Sequence, residues 1–120
     1  MVLSIEHFFD CEHDYKDSKF SLNDLALSLN FNEREISRSL REAGFTGFHE
    51  YLNHKKLDRF RLLAYDNPDM TVKELMYSCG FTSRSTFYRL YGDAYDETPT
   101  EFIERQKTKP FPPQRHNTEF

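Results

Sequence analysis

The chain has 120 residues, with 16 basic against 20 acidic side chains and a formal charge of −4. That length suits one domain with short ends, and 38% hydrophobic with 16% aromatic residues supplies a core and excludes wholesale disorder. No apolar run reaches the roughly 20 residues of a spanning helix, no signal segment follows Met1, and two cysteines make no disulfide framework, so a membrane protein and a secreted mini-protein are excluded and a reducing cytoplasm is expected.

Only 4 glycines and 5 prolines punctuate the chain, which favours long helices over a turn-rich β fold. Leu3, Ile5, Phe8 and Phe9 suggest a first helix, and Asp14 to Lys19 reads as a polar loop. Ser21 and Asp24 form a capping-box pattern ahead of Leu22, Leu25 and Leu29, and Asn30 suits the left-handed residue that ends such a helix. Asn32 with Glu35 caps a second helix, and the segment from Phe48 carries strong helix formers up to Asp66-Asn67-Pro68, where proline forbids continuation. Thr71 with Glu74 opens another helix on Val72, Leu75, Met76 and Cys79, closed at Gly80; Thr82 or Ser83 caps the next. Thr98-Pro99-Thr100-Glu101 is a complete start signal for a last helix at about 99–107. Lys109 to Phe120, with Pro110, Pro112 and Pro113, reads as a flexible tail over 110–120.

These signals repeat at an offset of fifty residues. Ser21-Leu22-Asn23-Asp24-Leu25-Ala26 answers Thr71-Val72-Lys73-Glu74-Leu75-Met76, and the register continues through Ser28/Ser78, Asn30/Gly80, Phe31/Phe81 and Arg34/Arg84. The second copy then gains one residue, so Ile36, Arg38 and Leu40 pair with Phe87, Arg89 and Tyr91. Helix, tight turn, helix in each copy is a helix-turn-helix arrangement. The expected fold is therefore all-α: about seven helices, two helix-turn-helix units at about 21–43 and 71–95, and a long linker helix at about 48–66.

Phe20-Ser21-Leu22-Asn23-Asp24-Leu25-Ala26, Phe48-His49-Glu50-Tyr51-Leu52, and Gly80-Phe81 … Phe87-Tyr88-Arg89 … Thr98-Pro99-Thr100-Glu101-Phe102 resemble the DNA-binding domain of AraC/XylS-family bacterial transcription regulators, over about residues 3 to 106. The resemblance implies a sequence-specific transcription regulator whose two recognition helices read successive major-groove segments of double-stranded DNA. It implies RNA polymerase or a related regulator as a protein partner, no membrane, and a bacterial cytoplasmic, nucleoid-associated location. A ligand-sensing domain often precedes this half in the family; the first helix here begins almost at Met1, which leaves either a single-domain regulator or a piece of a longer protein. The sequence departs from the family in three places. Gly92-Asp93-Ala94-Tyr95-Asp96-Glu97 replaces a basic stretch, Phe60 stands where a small residue is common, and Gly44 comes one residue early.

Helical angles sort the site residues. At about 100° per residue from Arg34, Ile36, Leu40 and Ala43 cluster near 200° and face the core, while Arg38 and Arg41 lie near 40° and 340° and share Arg34's outward stripe, with Ser37 beside it. In the second unit Phe87, Leu90 and Tyr91 face inward, Ser85 and Arg89 lie opposite, and Arg84 and Tyr88 flank them. Arginine's fork matches guanine O6/N7, so the base-reading candidates are Arg34, Ser37, Arg38, Arg84, Ser85, Tyr88 and Arg89. The phosphate candidates are the caps Asn32, Thr82 and Ser83 with Arg41 and Lys56. Lys55, Arg59 and Arg61 add linker-helix charge, so the first unit is expected to dominate binding over a second unit that ends in Asp93, Asp96 and Glu97.

Other readings are weaker. Tyr77, Phe87 and Tyr91 read as core, and Cys79 as a buried thiol. His7, Cys11 and His13 fit no closed zinc pattern, so no metal or cofactor is expected. No catalytic constellation is recognisable, so the chain is not read as an enzyme. The −4 charge and acidic 92–97 segment keep one alternative open, a protein-interaction module or antagonist on the same scaffold with weak DNA affinity.

Overall fold

The computed structural model describes residues 1–11 and 20–108, without the side chains of Asp10 and Cys11. The expected loop at Asp14–Lys19, the expected tail, and the His7–Cys11–His13 grouping fall wholly or partly outside the described residues. Among the described residues there are seven helices and no strand: α1 (Val2–Cys11), α2 (Leu22–Leu29), α3 (Glu33–Glu42), α4 (Phe48–Asp66), α5 (Val72–Ser78), α6 (Arg84–Tyr95) and α7 (Pro99–Thr108).

Local chemistry sets the ends. Ser21 and Asp24, Asn32 and Glu35, and Thr71 and Glu74 form reciprocal capping boxes at the starts of α2, α3 and α5. Thr98 and Glu101 do the same for α7, with backbone-to-side-chain bonds of 2.9 and 3.0 Å. Three helix ends share one device. Asn30 (φ 60°), Gly44 (φ 105°) and Gly80 (φ 94°) turn left-handed. The following Phe31, Phe45 and Phe81 each donate a backbone N–H to the carbonyl five residues back, on Ala26, Leu40 and Met76. Each of these phenylalanines then packs against a core, so one dipeptide both stops the helix and anchors the chain.

There are two cores. Ile5, Phe8, Phe9, Leu25, Ala26, Ile36, Leu40, Phe45, Phe48, Tyr51 and Leu52 form the first. Leu57, Phe60, Ala64, Leu75, Met76, Cys79, Phe81, Phe87, Tyr91 and Phe102 form the second. The linker helix α4 serves both. Its buried Phe48, Tyr51, Leu52 and Lys55 form one stripe, and Leu57, Phe60 and Ala64 another. At 100° per residue the stripes lie roughly 160° apart around the axis. The two units therefore sit on nearly opposite sides of one rod about 28 Å long.

One expected core residue is exposed: Tyr77 is 52% accessible. Leu3 of the first helix is 82% accessible. Tyr77 lies about 200° around α5 from Leu75, which turns it away from the core. Its repeat partner Leu27, at 73%, is exposed for the same reason. Cys79 is fully buried, as expected.

Candidate nucleic-acid interface

The outward face of α3 carries Arg34, Arg38 and Arg41, all exposed, above buried Ile36 and Leu40 with Ser37 half-buried between. The outward face of α6 carries exposed Arg84, Ser85 and Arg89 above buried Phe87 and Tyr91. None of these five arginines has an ion-pair partner among the described residues.

Three of the linker-helix cations, Lys55, Lys56 and Arg61, have other destinations. Lys55 is buried and ion-paired to Glu6 of α1. Lys56 is also buried, with its Nζ 5.7 Å from the centre of the Phe81 ring. That cation–π contact ties Lys56, a phosphate candidate in the sequence, to the second core. Arg61 lies over both the Tyr95 ring (4.3 Å) and the Phe102 ring (4.6 Å). These side chains fasten α4 to its two units.

The helix starts also differ. At α3, Asn32 spends its side-chain oxygen on the Glu35 amide and its side-chain nitrogen on the Glu35 carboxylate. Glu33 and Glu35 place two acids in that first turn, which offsets the positive end of the helix. At α6, Ser83 Oγ accepts from the Thr86 amide at 3.3 Å, Thr82 and Ser83 are exposed, and no acid stands in the first turn.

The acidic 92–97 segment divides in two. Asp93 and Asp96 are exposed, and Asp96 takes the left-handed position that ends α6, at φ 55°. Glu97 is instead held inside. It accepts from the Tyr91 hydroxyl at 2.9 Å and from both terminal nitrogens of Arg105. Burial alone would push its carboxyl up, but the hydrogen bonds from Arg105 and Tyr91 and the charges of Arg105 and Arg61 outweigh that and hold it below its ordinary value. The bond to Glu97 raises Arg105 in turn. Tyr91 is raised by burial and by Glu97, and Tyr95 by burial and by Asp58, whose carboxylate accepts its hydroxyl. Both phenols stay neutral and act as donors.

Tyr88 is half-buried. The Arg84 guanidinium lies 5.1 Å from its ring centre, and its hydroxyl is 3.3 Å from Thr100 Oγ1. Thr100 reads in the sequence only as part of a helix start, and no local pattern marks its contact with a residue twelve positions earlier. Among the described residues no cluster of His, Cys, Asp and Glu could hold a metal ion, and no helix is long and apolar enough to cross a membrane.

Two exposed arginine faces on the second helices of a duplicated helix-turn-helix unit define a tandem helix-turn-helix domain. The chain matches the family model described as "Helix-turn-helix domain" over residues 25–105, and it belongs to that family, in its AraC-type branch. It is 29% identical over 98 residues to the uncharacterized HTH-type transcriptional regulator YijO of Escherichia coli K12, a match covering 78% of this chain and 34% of that protein. It is 28% identical over 91 residues to the uncharacterized HTH-type transcriptional regulator SACOL0084 of Staphylococcus aureus COL, covering 75% of this chain and 12% of that protein. The chain thus spans 34% of one of these curated relatives and 12% of the other. Two solved structures share its fold. A Listeria innocua protein of unknown function superposes with TM-score 0.67 at 18% identity, over 87% of this chain and 95% of that one. The C-terminal domain of the two-component response regulator yesN from Fusobacterium nucleatum does so with TM-score 0.64 at 21% identity, over 82% and 93%.

Proposed function

We propose that this chain is a sequence-specific DNA-binding transcription regulator that places α3 and α6 in two successive major-groove segments. The observation that carries the reading is the set of five exposed arginines on the two second helices, none with an ion-pair partner among the described residues, while Lys55, Lys56 and Arg61 of the linker helix are engaged internally. Both curated relatives are named as HTH-type transcriptional regulators, which supports the same reading. Arg34, Ser37 and Arg38 in the first unit, and Arg84, Ser85 and Arg89 in the second, are the proposed base-reading set. Arg41, Thr82 and Ser83 are the proposed phosphate contacts. Asn32 is a weaker one, because Glu35 already occupies its side chain.

An α4 of about 28 Å is shorter than the roughly 34 Å between same-face grooves of straight DNA. Tilted recognition helices or a bent site reconcile the two lengths, and bending would add sequence dependence at uncontacted steps. Any contact with RNA polymerase or a related regulator belongs to the same reading. Selection from a random duplex library, followed by gel shift of the selected and a scrambled duplex over a salt series, tests the proposal. A selected motif spanning two half-sites about one helical turn apart supports it. Absence of retardation even at low salt would favour the protein-interaction alternative, which the exposed Asp93 and Asp96 would suit.

A further inference from the structure

We infer that Tyr88 and Thr100 are positioning residues that hold Arg84 ready for its base, and that Tyr88 does not read a base itself. The inference rests on the DNA-reading function proposed above. Arg84 and Tyr88 stand four residues apart on α6, so they share a face, and the guanidinium lies over the ring at 5.1 Å. The opposite end of the tyrosine is taken as well, its hydroxyl lying 3.3 Å from Thr100 Oγ1 in the first turn of α7. The ring edge meets Phe87 at 5.7 Å and 89°, which ties it to the second core. Arg84, Tyr88 and Thr100 line one wall of a cleft of about 440 Å³, with Lys73, Met76 and Tyr77 on the other side.

A chain of supports therefore runs from α7 through Tyr88 to Arg84. The first unit has no counterpart. Four residues after Arg34 stands Arg38, a like charge that cannot stack. An arginine free in solution must be ordered when it binds, whereas one already laid on a ring loses less freedom. The second unit thus offers one preset arginine where the first offers three of like charge on one exposed face. With its face under Arg84 and its hydroxyl beside Thr100 Oγ1, Tyr88 spends both ends on contacts within the domain.

The test compares Arg84→Ala, Tyr88→Leu, Tyr88→Phe and Thr100→Val with the wild type, by library selection and by affinity for the selected duplex. Arg84→Ala should erase preference at one base pair. Tyr88→Leu should weaken preference at that same base pair, with an affinity loss of about 2- to 10-fold and unchanged binding to scrambled DNA. Tyr88→Phe and Thr100→Val should each give the same smaller loss, and the double variant no more than either alone. If Tyr88→Leu relaxes a base pair that Arg84→Ala leaves intact, tyrosine reads a base and the inference is overturned. Nitrogen-15 relaxation at Arg84 Nε in the DNA-free protein judges the support by itself. It should be ordered in the wild type and looser in Tyr88→Leu and Thr100→Val, and a mobile Arg84 in the wild type would overturn the inference. A wild type that selects no sequence while Arg84 is ordered would instead reject the proposed function and leave the support standing.

Discussion

The carboxylate of Glu97 is gripped from two sides, by the guanidinium of Arg105 across both its oxygens and by the Tyr91 hydroxyl at 2.9 Å. This joins the end of α6 to the body of α7, and it removes from the surface an acid that the sequence places beside Asp93 and Asp96.

A pH dependence follows. The Glu97 carboxyl is held below its ordinary value in the folded chain, so its contribution is complete above the unfolded value near 4.3 and is lost as pH falls through the lower folded value. Glu97→Gln should cost about 1 kcal/mol at pH 7, a figure discounted because the Arg105 side chain is 41% exposed. It should also shrink the loss of stability between neutral and acid pH. Urea titrations from pH 7 to pH 3 check this, and parallel curves for both proteins would show that the pair adds nothing.

Base reading can be separated from phosphate contact. Arg38→Ala and Arg89→Ala should each weaken specific binding by about 1–3 kcal/mol and binding to random DNA by much less. Equal losses on both kinds of DNA would reassign these arginines to the backbone.

The largest contribution of α4 to the second core is one aromatic ring. Phe60 is fully buried, with ring centres 4.8 Å from Phe87 and 5.7 Å from Tyr91. Phe60→Ala should cost about 3–5 kcal/mol, a large share of the roughly 5–15 kcal/mol available to a domain. The first core has no part of this residue, so calorimetry should show the second unit melting ahead of the first. One sharp transition at a lower Tm would mean that α4 couples the two units completely.

What could be read in the sequence was what neighbours in the chain decide. Ser21, Asn32, Thr71 and Thr98 cap through residues three positions on, and Asn30, Gly44 and Gly80 end helices with the phenylalanine that follows each. The bounds of α2 to α5 are therefore legible to within a residue or so. The destinations of charges were not. Lys55 meets Glu6 forty-nine residues away, and Arg61 meets rings on two other helices. Nor does α4 look amphipathic, because its two buried stripes occupy opposite faces at different heights. Tyr77 could have been placed correctly from helical angles, since it lies about 200° around α5 from Leu75.

Gln106 offers a gain in stability. It is 8% exposed, neither its Nε2 nor its Oε1 has a hydrogen-bond partner among the described residues, and it lines a cleft of about 410 Å³ with Ala64, Leu75 and Ile103. A buried amide without partners costs about 1–3 kcal/mol. Gln106→Met keeps the length of the side chain and removes that cost, so Tm should rise by about 4–8 °C per kcal/mol recovered. An unchanged or lower Tm would show that water or another group already satisfies the amide.

The two units should contribute to DNA binding more evenly than the linear charge count suggests. Counting along the chain credits the first unit with Lys55, Lys56, Arg59 and Arg61 and charges the second with Glu97, yet all of these but Arg59 are engaged inside the fold. The start of α3 carries Glu33 and Glu35, and the start of α6 carries no acid. The double variants Arg34→Ala/Arg38→Ala and Arg84→Ala/Arg89→Ala should therefore weaken binding to a similar degree. The remaining handicap of the second unit is the exposed pair Asp93 and Asp96. Asp93 lies in the last turn of α6, where a cation also complements the helix dipole, so lysine is suitable there. Asp96 has φ 55°, where lysine would be strained and glycine would not. Asp93→Lys/Asp96→Gly should thus raise affinity, and one added phosphate contact should steepen the slope of log affinity against log salt by about 0.9. Asp93→Asn should raise affinity less and leave the slope near its wild-type value. If the double variant changes neither quantity, the end of α6 lies off the DNA and Asp93 and Asp96 are no handicap to the second unit. If one arginine pair proves dispensable while the other abolishes binding, a single unit carries the contact and two-groove docking is wrong.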